Sequence, residues 1–325
     1  MAPILEKLPV VSAEQASVLA NRELFARLAT TAMLPTMEGV LAEWRPDVVL
    51  RDPCEYASSV IAHGLGIPTA QVAIGMADVE WSSIDSAAPA LEAHRPGLVG
   101  ELRASPYLTR FPASVDPSRF PDTRRFAEAI PVRRAPLPDW WGGSEAPLVY
   151  VSFGTVLGHM SLAADAYRTA LRAVAGLDAR VLLTVGRQFD ASQLGELPAN
   201  VHVESWVDQA DALAGADVVV CHGGSGTTFG ALAVGVPLVV VSLFADQVVN
   251  GERVARTGAG VSLDTGRDIE GNRRAISAHD APRIAEGIGT VRAQSSYRQR
   301  AQLVAAEMAA APSVDTLLDA LLATL

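Results

Sequence analysis

The second half of the chain alternates short apolar runs with amphipathic segments, and this alternation narrows the folds open to it. The apolar runs suit buried strands: LVYVSF, RVLLTV, VHVES, DVVVC, PLVVVSL and GVSLD. Helical spacing is found at 162–175, 225–234, 247–257 and 279–290, with two more helices between 293 and 324. Strands and helices in this order predict an α/β fold with a parallel sheet covered on both faces. Ligands of such sheets bind at the carboxyl ends of the strands.

The first half is less regular. The first forty residues have helical spacing, and Pro35 is predicted to divide two helices. DVVLR (47–51) predicts a strand, and a helix follows from about Cys54 to His63. IPTAQVAIG predicts the next strand. Residues 76–146 are rich in proline and have few periodic runs, so the pattern predicts no clear elements there.

Composition excludes several classes of protein. The formal net charge of −10 argues against binding nucleic acid through the overall field. Cys54 and Cys221, the two cysteines, form no disulfide framework, so we expect a cytoplasmic protein. No zinc spacing is present, and no metal is expected. The N-terminus lacks the features of a signal peptide, and Pro237 interrupts the longest apolar run, so no membrane span is predicted.

A glycine-rich turn follows the predicted strand DVVVC. It contains His222, Gly223, Gly224 and Gly226, and a helix is predicted to begin near Ser225. Glycines allow backbone N–H groups to approach a ligand, and the helix dipole favours an anion such as a pyrophosphate. A turn without a ligand is the simpler alternative. A dinucleotide-binding turn is another alternative, although the third glycine lies one residue later than in that motif. A Walker A loop is excluded, because no Lys-Ser or Lys-Thr pair follows the glycines.

The residues around this turn resemble a known family. CHGGSGTT, followed by GVPLVVVSLFADQVVNGERV, is similar to the donor-binding signature of the GT-B glycosyltransferases, above all the bacterial enzymes that attach sugars to polyketide antibiotics. The resemblance implies two Rossmann-like domains facing a cleft. It implies an acceptor-binding domain at 1–135, a linker at 136–146 and a nucleotide-sugar donor-binding domain at 147–305. Residues 306–325 would form a C-terminal helix that packs back toward the acceptor domain.

The resemblance also implies roles for residues that follow the predicted strands. His222 and the backbone of Gly224, Ser225, Gly226 and Thr227 would hold the diphosphate. Trp206 and Val207 would bind the nucleobase, with core packing of the indole as the alternative. Ser152, Gly154 and Thr155 would form the loop beneath the phosphates.

Three further residues have implied roles in sugar binding and catalysis. Asp246 and Gln247 would bind sugar hydroxyls, since a carboxylate beside an amide can both accept and donate hydrogen bonds; a helix N-cap and first-turn residue are the alternative. Asp52 would orient a catalytic histidine, and a local cap near Cys54 is the alternative.

The catalytic histidine of the family lies in a Gly-His-x-x-Pro context, and the sequence contains no such segment. None of the six histidines matches it, and His94 and His279 are expected to be solvated in polar loops. We therefore expect the N-terminal domain to lack about two βα units of roughly 30 residues each.

The resemblance implies inverting transfer of a sugar or deoxysugar from a dTDP- or UDP-linked donor to a hydroxyl of a natural-product aglycone. The nucleotide sugar would be a co-substrate, with no other cofactor. A catalytically weak, nucleotide-binding auxiliary protein and a nicotinamide-dependent enzyme are the alternatives. A homodimer or an auxiliary protein is a candidate partner.

Overall fold

The computed structural model of the chain describes residue 4 and residues 13–128, 135–243, 246–267 and 274–324. The chain divides into two compact units. The first comprises Met1–Glu128 with Ala310–Leu325, and the second comprises Ala129–Ala309. The predicted linker, 136–146, lies within the second unit, and residues 129–134 fall outside the described residues.

The first unit combines helices with a small sheet. Its helices are α1 (Ala13–Val18), a segment of wider π-type turns (Leu19–Ala29), α2 (Thr30–Trp44), α3 (Ala57–Leu65), α4 (Ala77–His94), α5 (Leu98–Ala104) and α12 (Val314–Leu322). The prediction that Pro35 divides two helices is wrong, because α2 runs through it. One proline removes one backbone donor, and a helix can continue past that loss with a kink.

Four parallel strands form the sheet of the first unit in the order β1-β2-β3-β4. The strands are β1 (Val49–Arg51), β2 (Thr69–Val72), β3 (Tyr107–Thr109) and β4 (Thr123–Arg125). The aromatic ring of Tyr107 stacks on Phe120 at 4.2 Å, and Trp81 meets Phe120 edge-on at 5.1 Å. Much of this core thus comes from the proline-rich region in which the sequence predicted no clear elements.

Six parallel strands form the sheet of the second unit, in the order β10-β9-β8-β5-β6-β7. The strands are β5 (Leu148–Ser152), β6 (Arg180–Thr184), β7 (Val201–Glu204), β8 (Val218–Cys221), β9 (Leu238–Val241) and β10 (Gly260–Leu263). All six were predicted from the sequence, and the parallel α/β arrangement is confirmed. The chain leaves β5 toward β6 and later returns to its other side as β8, so the strand order switches at the β5–β8 pair. A crevice for a ligand is expected at such a switch point.

Helices cover this sheet. They are α6 (Ala163–Val174), α7 (Gln209–Gly215), α8 (Ser225–Ala233), α9 (Gln247–Thr257), α10 (Ala281–Ala293) and α11 (Ser295–Ala310), with short helical turns at Leu157–His159, Ala191–Leu194 and Ala278–Asp280. The core packs strand valines such as Val149 and Val239 against Tyr167 of α6 and Ile284 and Ile288 of α10. Burial of this apolar surface fixes the strand ends on which a site can be built.

Residues just before β5 pack on the second unit. The Trp140 ring stacks on His202 of β7 with centroids 4.2 Å apart. The Trp141 indole N–H donates a 3.1 Å hydrogen bond to the Asn200 carbonyl, and the Arg180 guanidinium lies 5.5 Å above the same ring. These contacts order the segment that precedes the sheet.

The two helices predicted between 293 and 324 are confirmed. Helix α11 ends at Ala310, and α12 begins at Val314 with the Ser313 hydroxyl accepting from the Thr316 N–H. Leu317 and Leu321 of α12 are buried in a cluster of the first unit. Within the described ranges, no helix is both long and apolar enough to cross a membrane.

Candidate functional site

The turn between β8 and α8 requires glycine. Gly223 has a φ of +91°, a conformation that side chains other than glycine rarely adopt. A Cβ at this position would lie 2.7 Å from the carbonyl oxygen of Gln247, at the start of α9. The Asn250 side chain donates a 2.7 Å hydrogen bond to the Gly223 carbonyl. Close packing against α9 therefore fixes the path of the turn.

The His222 ring lies between two other glycines. A Cβ on Gly154 would come within 2.9 Å of the ring, and a Cβ on Gly224 would overlap it. Burial lowers the pKa of His222 to about 4, and a hydrogen bond to the Ser152 backbone opposes this shift. The imidazole is therefore neutral at neutral pH. A neutral ring has one N–H, which can donate either to the Ser152 backbone or to an anion, but not to both.

A cavity of about 420 Å³ opens at this turn. Ten of the twelve residues predicted to bind the donor line it: Ser152, Gly154, Thr155, Trp206, Val207, His222, Gly224, Ser225, Gly226 and Thr227. They come together because Ser152 pairs in register with both Cys221 and Thr184, which aligns the ends of β5, β8 and β6. The N-terminus of α8 faces the same space.

Other cavity residues were not found from the sequence: Tyr150, Val156, Thr184, Gly186, Ser205 and Gln209. The Tyr150 and Thr184 hydroxyls are 3.2 Å apart, and Gln209 donates a 3.1 Å hydrogen bond to the Thr227 hydroxyl. Alternate residues of a strand lie on the same face of the sheet, so the predicted residue Ser152 could have indicated Tyr150. Gln209 lies three residues after the predicted residue Trp206 in the sequence.

Trp206 is not a core residue. Its side chain is 54% exposed, and it forms part of the cavity wall. The Arg187 guanidinium carbon lies 5.0 Å from the centroid of its ring. Core packing, the alternative considered for this tryptophan, does not describe its position.

Asp246 and Gln247 are not among the residues that line the cavity. The Gln247 side chain is buried, and its Oε1 accepts a 2.9 Å hydrogen bond from the Leu243 N–H. The Asp246 carboxylate accepts a 3.3 Å hydrogen bond from Asn250, and burial raises its pKa. Asp246 precedes α9 but makes no side-chain cap to it. The loop residues 244 and 245, which lead into this segment, lie outside the described residues.

Asp52 lies in the first unit, directly after β1. It is exposed, and its carboxylate accepts a 2.8 Å hydrogen bond from the Cys54 N–H. This is the local contact considered as the alternative to histidine pairing. It closes a turn rather than capping a helix, because α3 begins at Ala57 and not near Cys54 as predicted.

A buried carboxyl group in the first unit was missed by sequence reasoning. Glu80 accepts hydrogen bonds from the backbone N–H groups of Ile74 and Gly75 at 2.9 and 2.8 Å, and from Gln71 at 2.7 Å. Burial raises the pKa of Glu80 to about 7, against the opposing effect of these hydrogen bonds. The hydrogen bonds from Ile74 and Gly75 to Glu80 fix the loop that follows β2.

The histidines outside the cavity are mostly engaged in local contacts. The prediction that His94 is solvated in a loop is wrong, because it ends α4 and its Nε2 lies 2.8 Å from the Ala26 carbonyl oxygen. His63 lies in the last turn of α3, as expected, and its Nδ1 lies 2.9 Å from Glu101 Oε2. Among the described residues, no cluster of three or more His, Cys, Asp or Glu side chains could hold a metal ion.

Comparison with known proteins identifies relatives for both halves of the chain. Residues 168–323 match the family described as erythromycin biosynthesis protein CIII-like, C-terminal domain. The chain is 31% identical over 242 residues to the L-demethylnoviosyl transferase of Streptomyces niveus, covering 71% of this chain and 61% of that protein. It is 33% identical over 231 residues to the elloramycin glycosyltransferase ElmGT of Streptomyces olivaceus, covering 67% and 57%. The chain thus spans about three fifths of the length of these relatives.

Solved structures show the same likeness. The glycosyltransferase SnogD from Streptomyces nogalater matches with a TM-score of 0.71 and 28% identity, covering 97% of this chain and 84% of its own. The spinosyn rhamnosyltransferase SpnG matches in fold with a TM-score of 0.77. The predicted resemblance and the GT-B fold are confirmed.

Proposed function

We propose that this chain, whose residues 168–323 match the erythromycin biosynthesis protein CIII-like family, binds a nucleoside diphosphate sugar in the cavity at the β8–α8 turn. In the whole protein the sugar is transferred, with inversion, to a hydroxyl of a natural-product aglycone. The expected donor is a dTDP- or UDP-linked sugar or deoxysugar. The relatives named above are sugar transferases of antibiotic pathways, which supports this reaction class.

The convergence of ten predicted donor residues on one cavity carries the proposal. They come from three segments that are separate in the sequence, at the ends of β5, β7 and β8. A volume of about 420 Å³ is in the range of small-ligand sites. The amides of Gly224, Ser225, Gly226 and Thr227 open the first turn of α8, where free N–H groups and the helix dipole favour an anion.

The same groups can assist the chemical step. As the bond to the sugar breaks, negative charge develops on the leaving diphosphate. Amide donors at a helix N-terminus stabilise this growing charge more than the ground state, which lowers the barrier. His222 adds one neutral N–H donor beside them when the diphosphate takes this N–H in place of the Ser152 backbone. A base must take the proton of the attacking hydroxyl, and Asp52 is the residue proposed to orient a histidine for that task.

Asp246 and Gln247 are proposed to contact the sugar. They begin α9, and Asn250 and Gly223 hold this end of the helix against the diphosphate turn. A sugar attached to a diphosphate at α8 would therefore lie near them.

A catalytically weak, nucleotide-binding partner of another enzyme is the second candidate. The Asp52 carboxylate, which was expected to orient a catalytic histidine, accepts a hydrogen bond from the Cys54 N–H, and this contact favours it. Retained nucleotide binding without transfer or hydrolysis in an assay with a dTDP-sugar and an acceptor would select this function over the first.

Equilibrium binding tests the donor site directly. We expect UDP or dTDP, but not NAD, to bind the chain and raise its melting temperature. His222→Ala should weaken that binding, whereas the control His279→Ala, an exposed residue in a short helical turn, should leave it unchanged. Stabilisation by NAD alone, or equal nucleotide affinity of His222→Ala and the unmodified chain, would contradict the proposed site.

A further inference from the structure

An arginine beside the cavity covers one face of an exposed tryptophan. Arg187 lies in the loop after β6, and Trp206 lies in the loop after β7. These two strands are neighbours in the sheet, so their loops leave the same edge side by side. The guanidinium carbon stands 5.0 Å from the centroid of the indole, within the range of a cation–π contact.

Arg187 contacts the indole without lining the cavity. Gly186 and Trp206 both line the cavity, whereas Arg187, adjacent to Gly186, is not part of the lining. The contact between guanidinium and indole therefore lies beside the space proposed for the nucleotide.

We propose that Arg187 is a nucleobase-binding determinant, which completes a three-layer stack of base, Trp206 indole and guanidinium. The inference rests on the proposed function, since it needs a nucleotide in the cavity. Arg187 acts through the ring: it holds the indole in place before the base arrives. It makes no contact with the phosphates in this arrangement.

The chemistry of the three layers explains the choice of residues. A guanidinium is planar and weakly hydrated, so it stacks on an aromatic face while staying in contact with water. An indole offers the strongest aromatic surface for a cation, and its other face can stack on any base. The arrangement thus favours nucleotides over free diphosphate without selecting strongly between uracil and thymine.

A binding series tests this stack. Dissociation constants for UDP, dTDP and inorganic pyrophosphate are measured by calorimetry for the unmodified chain, Arg187→Ala, Arg187→Lys, Trp206→Ala and the double variant. Arg256→Ala is the matched control, because Arg256 is an exposed arginine of α9 that pairs with Glu252. A cation–π contact at an exposed site predicts that Arg187→Ala weakens UDP and dTDP binding by about two- to fivefold.

Three results are expected to accompany that loss. Pyrophosphate affinity stays unchanged, Arg187→Lys keeps part of the effect, and Arg187→Ala adds nothing once Trp206 is alanine. An equal loss for pyrophosphate would make Arg187 a phosphate ligand and overturn the stack, as would an unchanged nucleotide affinity or a loss that persists without Trp206. If the unmodified chain binds neither nucleotide, the proposed function fails instead.

Discussion

The side-chain amide of Asn250 donates a 2.7 Å hydrogen bond to the backbone carbonyl of Gly223. Asn250 is completely buried, and its amide also reaches the Asp246 carboxylate at 3.3 Å. One side chain thus joins the proposed diphosphate turn to the proposed sugar-binding end of α9.

We expect Asn250→Ala to lower the free energy of unfolding by about 1–3 kcal/mol, because a buried carbonyl loses its donor. Nucleotide affinity should fall as well, since the turn loses its support. Urea denaturation and calorimetry measure the two effects. Asn21→Ala, which removes an exposed side-chain contact to Ser17, is the control and should change stability by less than about 0.5 kcal/mol.

Gly223→Ala should destabilise the second unit by about 1–3 kcal/mol, because its φ of +91° is strained for alanine. The added methyl group would also press on the Gln247 carbonyl oxygen. Thermal unfolding of the variant checks this. A melting temperature equal to that of the unmodified chain would show that the turn does not have the described conformation.

Gly226→Ala separates binding from folding. A Cβ at Gly226 meets no atom within 4 Å, and the residue lines the cavity. The helix should be as stable as before, or more so, since alanine favours helices. The methyl group would occupy space proposed for the diphosphate, and we expect nucleotide affinity to fall about tenfold, or ~1.4 kcal/mol. Unchanged affinity for UDP and dTDP would place the phosphates elsewhere.

Protonation of His222 should make the free energy of unfolding depend on pH in the acidic range. Its pKa of about 4 in the folded chain lies below the ordinary value of 6.5, so the unfolded chain binds the proton more tightly. The contribution of neutral His222 to the free energy of unfolding is complete above pH 6.5. It is lost as pH falls toward 4, by up to about 3 kcal/mol. His222→Gln should flatten this part of the pH profile of unfolding free energy. A profile with the same slope in both proteins would show that His222 is not buried in neutral form.

Glu80 should act in the opposite sense. Its pKa of about 7 lies above the ordinary value of 4.5, so the folded chain binds this proton more tightly. Its stabilisation is complete below pH 4.5 and is lost as pH rises through 7, by up to about 3 kcal/mol. The two groups offset each other in the unmodified chain, so Glu80→Gln and His222→Gln are compared separately with it. The same pH dependence of the unfolding free energy between pH 5 and 8 in Glu80→Gln and in the unmodified chain would contradict the assignment.

The sequence predicted the strands and the glycine turn of the second unit correctly, because a local pattern of residues determines both. The strands β8 and β9 of the second unit are uninterrupted apolar runs, as strands buried on both faces of a sheet require. The glycine turn follows such a run directly, so His222 and Gly224 could be placed at a strand end without knowing the rest of the fold. Parallel pairing then brought Ser152 to the same edge.

Other features of the fold and the site depend on tertiary contacts, which a local sequence pattern does not reveal. Helix α4 runs through Pro89, which reads as a break in the sequence. Glu80 resembles any surface glutamate until the loop after β2 closes over it. Asp246 and Gln247 follow a strand as Gly224 does, yet side-chain contacts with Asn250 and Leu243 decide where they point.

The indole rings of Trp140 and Trp141 bear on how the second unit could be produced alone. A recombinant fragment cut at Pro147, where the first strand of the sheet is about to begin, would remove both rings and uncover the His202 imidazole and the Arg180 side chain. A fragment that begins upstream of Trp140 keeps this apolar cover. The N-terminal boundary of a stable fragment is therefore determined by the contacts of Trp140 and Trp141, and not by the first residue of the sheet.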